Sequence, residues 1–192
     1  MGHLLIHRGL AKKYFIANTI SAFRYCFKKK YGIETDIHFT KDRKIVCFHD
    51  FNLKGKFKIN KYIKNIKYKD LLKISKYKKK PIPLLNDLIK LSNNKRFLMI
   101  EIKPLLTEEN LKILIKEIKN LKNYSLTSFK EKNIINLHKM NKNLSLGLLV
   151  PATLKFNSII FNVKSGCERE RRSALKIPPL NRLGAKLTGV NG

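Results

Sequence analysis

Apolar and polar positions change rhythm from one short segment to the next, and those changes predict strands alternating with helices. Residues 4–7 (Leu-Leu-Ile-His) form an apolar run ended by a polar group, with Gly9 behind it, which predicts a buried strand and a turn. Asn18-Thr19 offers an N-cap before Ile20, Ala22, Phe23 and Phe27, whose spacing builds one helical stripe. Residues 32–39 predict a second strand, Lys41-Asp42-Arg43 a turn, and residues 45–48 a third strand closed by His49-Asp50. Residues 54–69 are lysine-rich, with isolated Phe57, Ile59, Tyr62, Ile63, Ile66 and Tyr68, and predict an irregular surface excursion. A break at Lys78–Lys80 precedes Pro81 and Pro83, since each proline biases its predecessor out of the helix. Residues 84–91 predict a helix and 97–102 a fourth strand; Thr107-Glu108-Glu109 then starts an amphipathic helix carrying Leu111, Ile113, Leu114, Ile115, Ile118 and Leu121. A strand at 124–128, a helix over 130–139 and strands at 144–150 and 158–163 continue the alternation. The fold class is therefore α/β, a parallel sheet covered by helices, open or closed into a barrel.

Composition adds bounds. The chain has 192 residues, 43% hydrophobic and 29% charged, which suits one globular domain and excludes disordered and collagen-like classes. No stretch approaches the ~18 apolar residues of a membrane span. Met1-Gly2-His3 leads into Leu4-Leu5-Ile6 without a charged region or cleavage site, so the expectation is a soluble, cytoplasmic chain. Cys26, Cys47 and Cys167 include no Cys-x-x-Cys pair, which predicts reduced thiols rather than a zinc site or disulfide framework. The net charge of +29 would draw polyanions, but it comes from 34 Lys against 8 Arg and travels with 22 Ile and 18 Asn. AT-rich coding accounts for all three excesses, and a phosphate-reading surface would recruit more arginine, so no specific nucleic-acid partner is expected. Residues 1–164 read as the folded domain. Beyond them, 165–192 hold four arginines, two lysines and four glycines without apolar periodicity, which reads as a basic tail, disordered or foreign through a frameshift or fusion.

Acidic residues number only 13, so their placement within strands is informative. Glu34 and Asp36 lie two apart on a predicted strand and therefore share a face. Such a pair repels itself and resists desolvation unless a positive group intervenes. Glu101 and Lys103 repeat the spacing at the end of the fourth strand. Three carboxylates suit a hard divalent cation, Ca²⁺ or Mg²⁺. From the residues alone a lysine could equally neutralise Glu34 and Asp36, and Glu101 with Lys103 could be a plain ion pair. His7 and His49 end the first and third predicted strands, and strand carboxyl ends line the site in parallel α/β folds. Asp50 reads as orienting His49 or capping its turn rather than binding metal, and His38 is left out of the site.

The motifs His7-Arg8-Gly9, Asn18-Thr19-Ile20-Ser21-Ala22-Phe23 and Gly32-Ile33-Glu34-Thr35-Asp36 stand in order with Thr40-Lys41-Asp42 and His49-Asp50 with Leu53. Ile82-Pro83-Leu84-Leu85-Asn86-Asp87-Leu88, Ile100-Glu101-Ile102-Lys103 and Ser128-Phe129 follow. In order and spacing this set resembles the glycerophosphodiester phosphodiesterases, over about residues 4–163. The resemblance implies a TIM-type (β/α) barrel and metal-dependent hydrolysis of a small-molecule glycerophosphodiester to glycerol 3-phosphate and an alcohol. It makes His7 and His49 the acid–base pair, Glu34, Asp36 and Glu101 the metal ligands, and Arg8 and Lys103 phosphate contacts. The sequence departs from the pattern in three places. Ile16-Ala17 replace Pro-Glu, seven strands are predicted against the eight of a full barrel, and the late Trp-Thr-Val-Asn motif is missing from a chain without tryptophan. The barrel is thus expected to be incomplete at its C-terminus. Two other readings remain: a catalytically impaired basic protein that binds RNA or anionic lipid, and a related lysophospholipid phosphodiesterase.

Overall fold

Strand β2 (Gly32–Phe39) explains most of the architecture, because its two faces bury different chemistry. Ile33, Ile37 and Phe39 enter the main apolar core, while Glu34, Asp36 and His38 alternate onto the opposite face; every residue of the strand is buried. In the computed structural model, which describes residues 4–9 and 15–150, β2 pairs in parallel with β1 (Leu5–His7) on one side and β4 (Leu98–Ile102) on the other. Parallel β5 (Tyr124–Ser128) and β6 (Leu146–Leu148) extend the sheet in the order β1-β2-β4-β5-β6. The register sets His7 opposite Glu34 and Asp36 opposite Glu101, so the polar faces of three strands align.

Helices cover the apolar face. Helix α1 (Ile20–Lys28) begins where the Thr19 side chain accepts from the Ala22 N–H, and buries Ala22, Phe23 and Cys26. Helix α4 (Leu85–Ser92) buries Leu85 and Leu88. Helix α5 (Glu108–Ile118), capped by Thr107, buries Leu111, Leu114 and Ile118, and α6 (Glu131–Met140) buries Ile134 and Leu137. All four contribute to one core with the sheet. Cys26 and Cys47 are buried as thiols, and burial pushes the Cys47 thiol up to about 12. This is a TIM-type α/β arrangement, as the sequence predicts; the expected strand 158–163 and the tail 165–192 lie outside the described residues, as does Cys167.

Two expectations need correction. The third predicted strand, β3 (Ile45–Cys47), is not a barrel stave: it runs antiparallel to β2, off the path of the parallel strands. The short Thr40–Lys44 turn joins the two as a hairpin, closed by Thr40 N–H donating to the Lys44 carbonyl at 3.0 Å. Segment 54–69 is also more than an irregular surface excursion. Helix α2 (Lys54–Phe57), a 3₁₀ turn at Ile63–Asn65 and helix α3 (Tyr68–Tyr77) enclose a second core of Val46, Phe48, Leu53, Phe57, Ile63, Ile66, Leu71 and Ile82. The apolar residues that look isolated along the chain converge in space.

Candidate active site

The chain turns sharply after β1 through two successive left-handed residues, Arg8 (φ 53°) and Gly9 (φ 69°). At Gly9 a Cβ would meet Ala22 Cβ at 3.0 Å, so both conformation and space call for glycine. The turn aims the Arg8 N–H back at β2, where it donates to the Glu34 carbonyl at 2.9 Å and to Glu34 Oε2 at 3.2 Å. Left-handed Asn18 (φ 55°) holds the next strand position: its Nδ2 donates to Asp36 Oδ2 at 3.1 Å and its Oδ1 accepts from Thr35 Oγ1 at 2.8 Å.

Around Asp36, which is fully buried, two cations close in. Arg8 Nε lies 3.0 Å from Oδ2, and Lys103 Nζ lies 3.0 Å from Oδ1 and 2.7 Å from Glu101 Oε1. One oxygen from each of Glu34, Asp36 and Glu101 can be chosen so that all lie within 4.8 Å of one another. Asp36 Oδ1 and Glu101 Oε1 are sealed from water yet accept no well-angled hydrogen bond; Lys103 meets them as a point charge. Three hard oxygen donors this close together fit a divalent cation, in competition with the Lys103 ammonium.

The electrostatics divide the carboxylates. Burial pushes the Glu34 carboxyl up to about 7, aided by the neighbouring Asp36 charge and only partly offset by the Arg8 N–H. Burial also opposes ionisation of Asp36, but Lys103, Asn18 and Arg8 outweigh it and hold that carboxyl below its usual range. Lys103 is desolvated too, yet Glu101 and Asp36 raise its ammonium above the ordinary value. Three carboxylates therefore face two cations, and Glu34 is the one left without a full counter-charge.

His7 Nε2 lies 3.8 Å from Glu34 Oε2, and burial together with Arg8 lowers its titration below 6.5. His49 Nδ1 is 2.7 Å from Asp50 Oδ1. The β2–β3 hairpin is what returns His49 to the rim: Phe48 N–H donates to the Asp36 carbonyl at 2.9 Å, placing His49 level with the carboxylates. Strand-end logic thus names His49 for a reason that does not hold, since β3 runs the opposite way. His38 supports this return, with Nε2 3.0 Å from the His49 carbonyl and its ring edge-on to Phe51.

All seven residues singled out in the sequence, His7, Arg8, Glu34, Asp36, His49, Glu101 and Lys103, lie at the ends of β1 and β4, in the middle of β2 or on the hairpin return. The plain-ion-pair alternative is present as well, because Lys103 bridges Asp36 and Glu101. Sequence reasoning gave Asn18 no role in the site, reading it as part of a helix cap and of the family motif. An asparagine ahead of a capping threonine is a site for a left-handed turn, and that signal could have found it.

Fold and site together define a TIM-type α/β fold whose described strands form an open sheet, with a polar cluster at its C-terminal rim. The chain belongs to the glycerophosphoryl diester phosphodiesterase family, whose model matches residues 7–150. A glycerophosphodiester phosphodiesterase from Caldanaerobacter subterraneus subsp. tengcongensis is 29% identical over 160 residues, covering 76% of this chain and 65% of that protein. Among solved structures, the glycerophosphodiester phosphodiesterase of Thermotoga maritima aligns with a TM-score of 0.67 at 24% identity, over 79% of this chain and 63% of that one. An Oleispira antarctica phosphodiesterase in complex with sn-glycerol-3-phosphate aligns with a TM-score of 0.68 at 19% identity, over 77% and 66%. The chain spans less than two thirds of the length of each of these relatives.

Proposed function

We propose that this protein hydrolyses glycerophosphodiesters to glycerol 3-phosphate and an alcohol at the rim formed by β1, β2 and β4. The observation that carries the reading is the meeting of Glu34, Asp36 and Glu101 oxygens within 4.8 Å, edged by Arg8, Lys103 and two histidines. The three carboxylates would hold Ca²⁺ or Mg²⁺, which when bound withdraws charge from a phosphodiester oxygen. Arg8 and Lys103 would pair with the remaining phosphate oxygens and stabilise charge that develops on them. His7, whose titration is lowered by burial and Arg8, would accept the proton of the attacking oxygen, either water or the neighbouring glycerol hydroxyl, the latter giving a cyclic phosphate that water then opens. Asp50 engages Nδ1 of His49, which leaves Nε2 to deliver a proton to the departing alkoxide.

The bound sn-glycerol-3-phosphate in the Oleispira relative supports the product assignment. Buried Cys26 and Cys47 thiols suit a reducing, cytoplasmic setting. No helix among the described residues is long and apolar enough to cross a membrane. A lysophospholipid substrate is the second reading, favoured by exposed Phe51, Leu105 and Phe129 just beyond the site residues and strand ends. The test is release of glycerol 3-phosphate from glycerophosphocholine by the purified full chain with Ca²⁺ or Mg²⁺, and its loss in chelator. Cleavage of lysophosphatidylcholine alone would favour the second reading, and no cleavage of either with any divalent ion would remove both.

A further inference from the structure

Beside the site, an open cleft of about 690 Å³ runs from His49 and Lys103 along Phe51, Asn52, Lys54 and Lys58. The lysines of this segment are sorted. Lys56 turns onto the Phe48 and Phe57 rings, 5.5 and 5.9 Å from their centroids, whereas Lys54 and Lys58 are exposed and line the cleft. Neither of these two pairs with a carboxylate among the described residues. Lys54 starts α2 and Lys58 is its left-handed C-cap, so the two stand at opposite ends of one short helix. Asp50 is the cleft's own carboxylate, and it is engaged by His49. Two unmatched ammonium groups, joined by Lys103 at the site end, leave this cavity with a standing excess of positive charge.

We propose that this cleft is a subsite for a second phosphate, so that the preferred substrates are glycerophosphodiesters whose leaving alcohol carries a phosphate monoester. The inference rests on the hydrolase reading and deepens it. The scissile group would sit at the carboxylate cluster, and the alcohol would extend past His49, which protonates it, toward Lys54 and Lys58. A dianionic monoester matches two ammonium groups in charge, and Asn52 adds a side-chain amide.

The test compares glycerophosphoinositol 4-phosphate with glycerophosphoinositol at about 0.15 M salt, on the full chain. Each charge-assisted contact contributes about tenfold, so kcat/KM should favour the 4-phosphate by about 10- to 100-fold, through KM. Lys54→Gln with Lys58→Asn should bring that ratio near one; asparagine suits the left-handed backbone at position 58 (φ 63°). Lys69→Gln with Lys73→Gln, an equal charge change on exposed positions of α3, should leave the ratio intact. A ratio near one in the parent protein, or equal losses in both pairs of variants, would overturn the subsite in favour of a general basic field. Calorimetric binding of the same two compounds in chelator decides the matter separately from turnover. Tighter binding of the 4-phosphate, lost with Lys54 and Lys58, supports the subsite even if the hydrolase reading fails, and equal binding sinks it.

Discussion

The parallel sheet and the lysine-rich segment between β3 and α4 bury opposite things. The sheet encloses Glu34, Asp36 and Glu101, offsets Asp36 and Glu101 with Arg8 and Lys103, and adds a hydrogen bond from Asn18 to Asp36. The segment encloses a separate apolar core, with Ser75 its one buried polar side chain, and keeps its charges outside or, for Lys56, against aromatic rings. Buried polar groups that hold one another fix a geometry at a cost in stability, whereas apolar packing supplies stability without fixing any chemistry. The regions meet at Phe48, which belongs to the second core and donates its N–H to the Asp36 carbonyl, one residue before His49. The site is therefore held by the sheet and its access shaped by the insertion.

That division predicts that chemistry and stability separate on mutation. His7→Ala or His49→Ala should lower turnover of glycerophosphocholine about 10²- to 10⁴-fold, the usual worth of a general acid or base. The His7 side chain is 71% exposed and that of His49 39%, so thermal unfolding should move little. Unchanged rates in both variants would detach the imidazoles from the reaction; a large drop in melting temperature would mean that the rim is structural after all.

The converse change lies in the second core. Phe57 is buried among Phe48, Leu53 and their neighbours, and Phe57→Ala should cost about 3–5 kcal/mol in denaturant unfolding. If the sheet holds the site by itself, the folded fraction should retain its catalytic-group geometry and its kcat. A variant that is stable but inactive would show that the insertion, through Phe48, positions His49 more firmly than the sheet does.

The same contrast governs what could be read from the sequence. Carboxylates at alternate positions of an apolar strand are rare enough to announce themselves, and the period of two places Glu34 with Asp36 whatever the topology. The pairing of β2 with β4 and the Asp36–Glu101 register were not legible, because residues 45–48 read as the next parallel strand whereas the chain returns to β4 only after a hairpin and three helices. Segment 54–69 gave no signal either, because Phe57, Ile63 and Ile66 form a core only once the chain has folded back, and no periodicity records that. The β3 reversal was illegible for a related reason: the five-residue polar turn fits a hairpin, but a strand pattern carries no direction. Asn18 was masked by its neighbour Thr19, whose cap is the stronger local motif.

Glu34 offers a finer probe of the sheet region. Its folded value of about 7 exceeds the ordinary 4.5, so the protonated form is favoured in the folded protein. The sign follows: its contribution is fully present below about pH 4.5 and is lost as pH rises through 7. In chelator, the parent protein should lose on the order of 2–3 kcal/mol relative to Glu34→Gln between pH 4.5 and 8. Adding Ca²⁺ or Mg²⁺ should restore that loss in the parent only, since the ion supplies the missing counter-charge and displaces the proton. Parallel pH curves for the two proteins would mean that Glu34 already has its partner within the chain.

Lys56 is the counterpart in the insertion and should give the smallest effect. Burial pushes its ammonium down to about 8, with Lys80 adding to the shift and Asp50 opposing it. Here the neutral form is favoured in the folded state, so stability tied to this group rises with pH between about 8 and 10.5. The Phe48 and Phe57 faces work the other way, favouring the cation by roughly 0.5–2 kcal/mol. Lys56→Met, which keeps the stem and drops the charge, should therefore stabilise the protein at pH 7 by only about 1 kcal/mol, and the gain should vanish by pH 10. A destabilised Lys56→Met protein would show that the aromatic faces outweigh burial. The insertion would then depend on a buried cation much as the sheet depends on buried carboxylates.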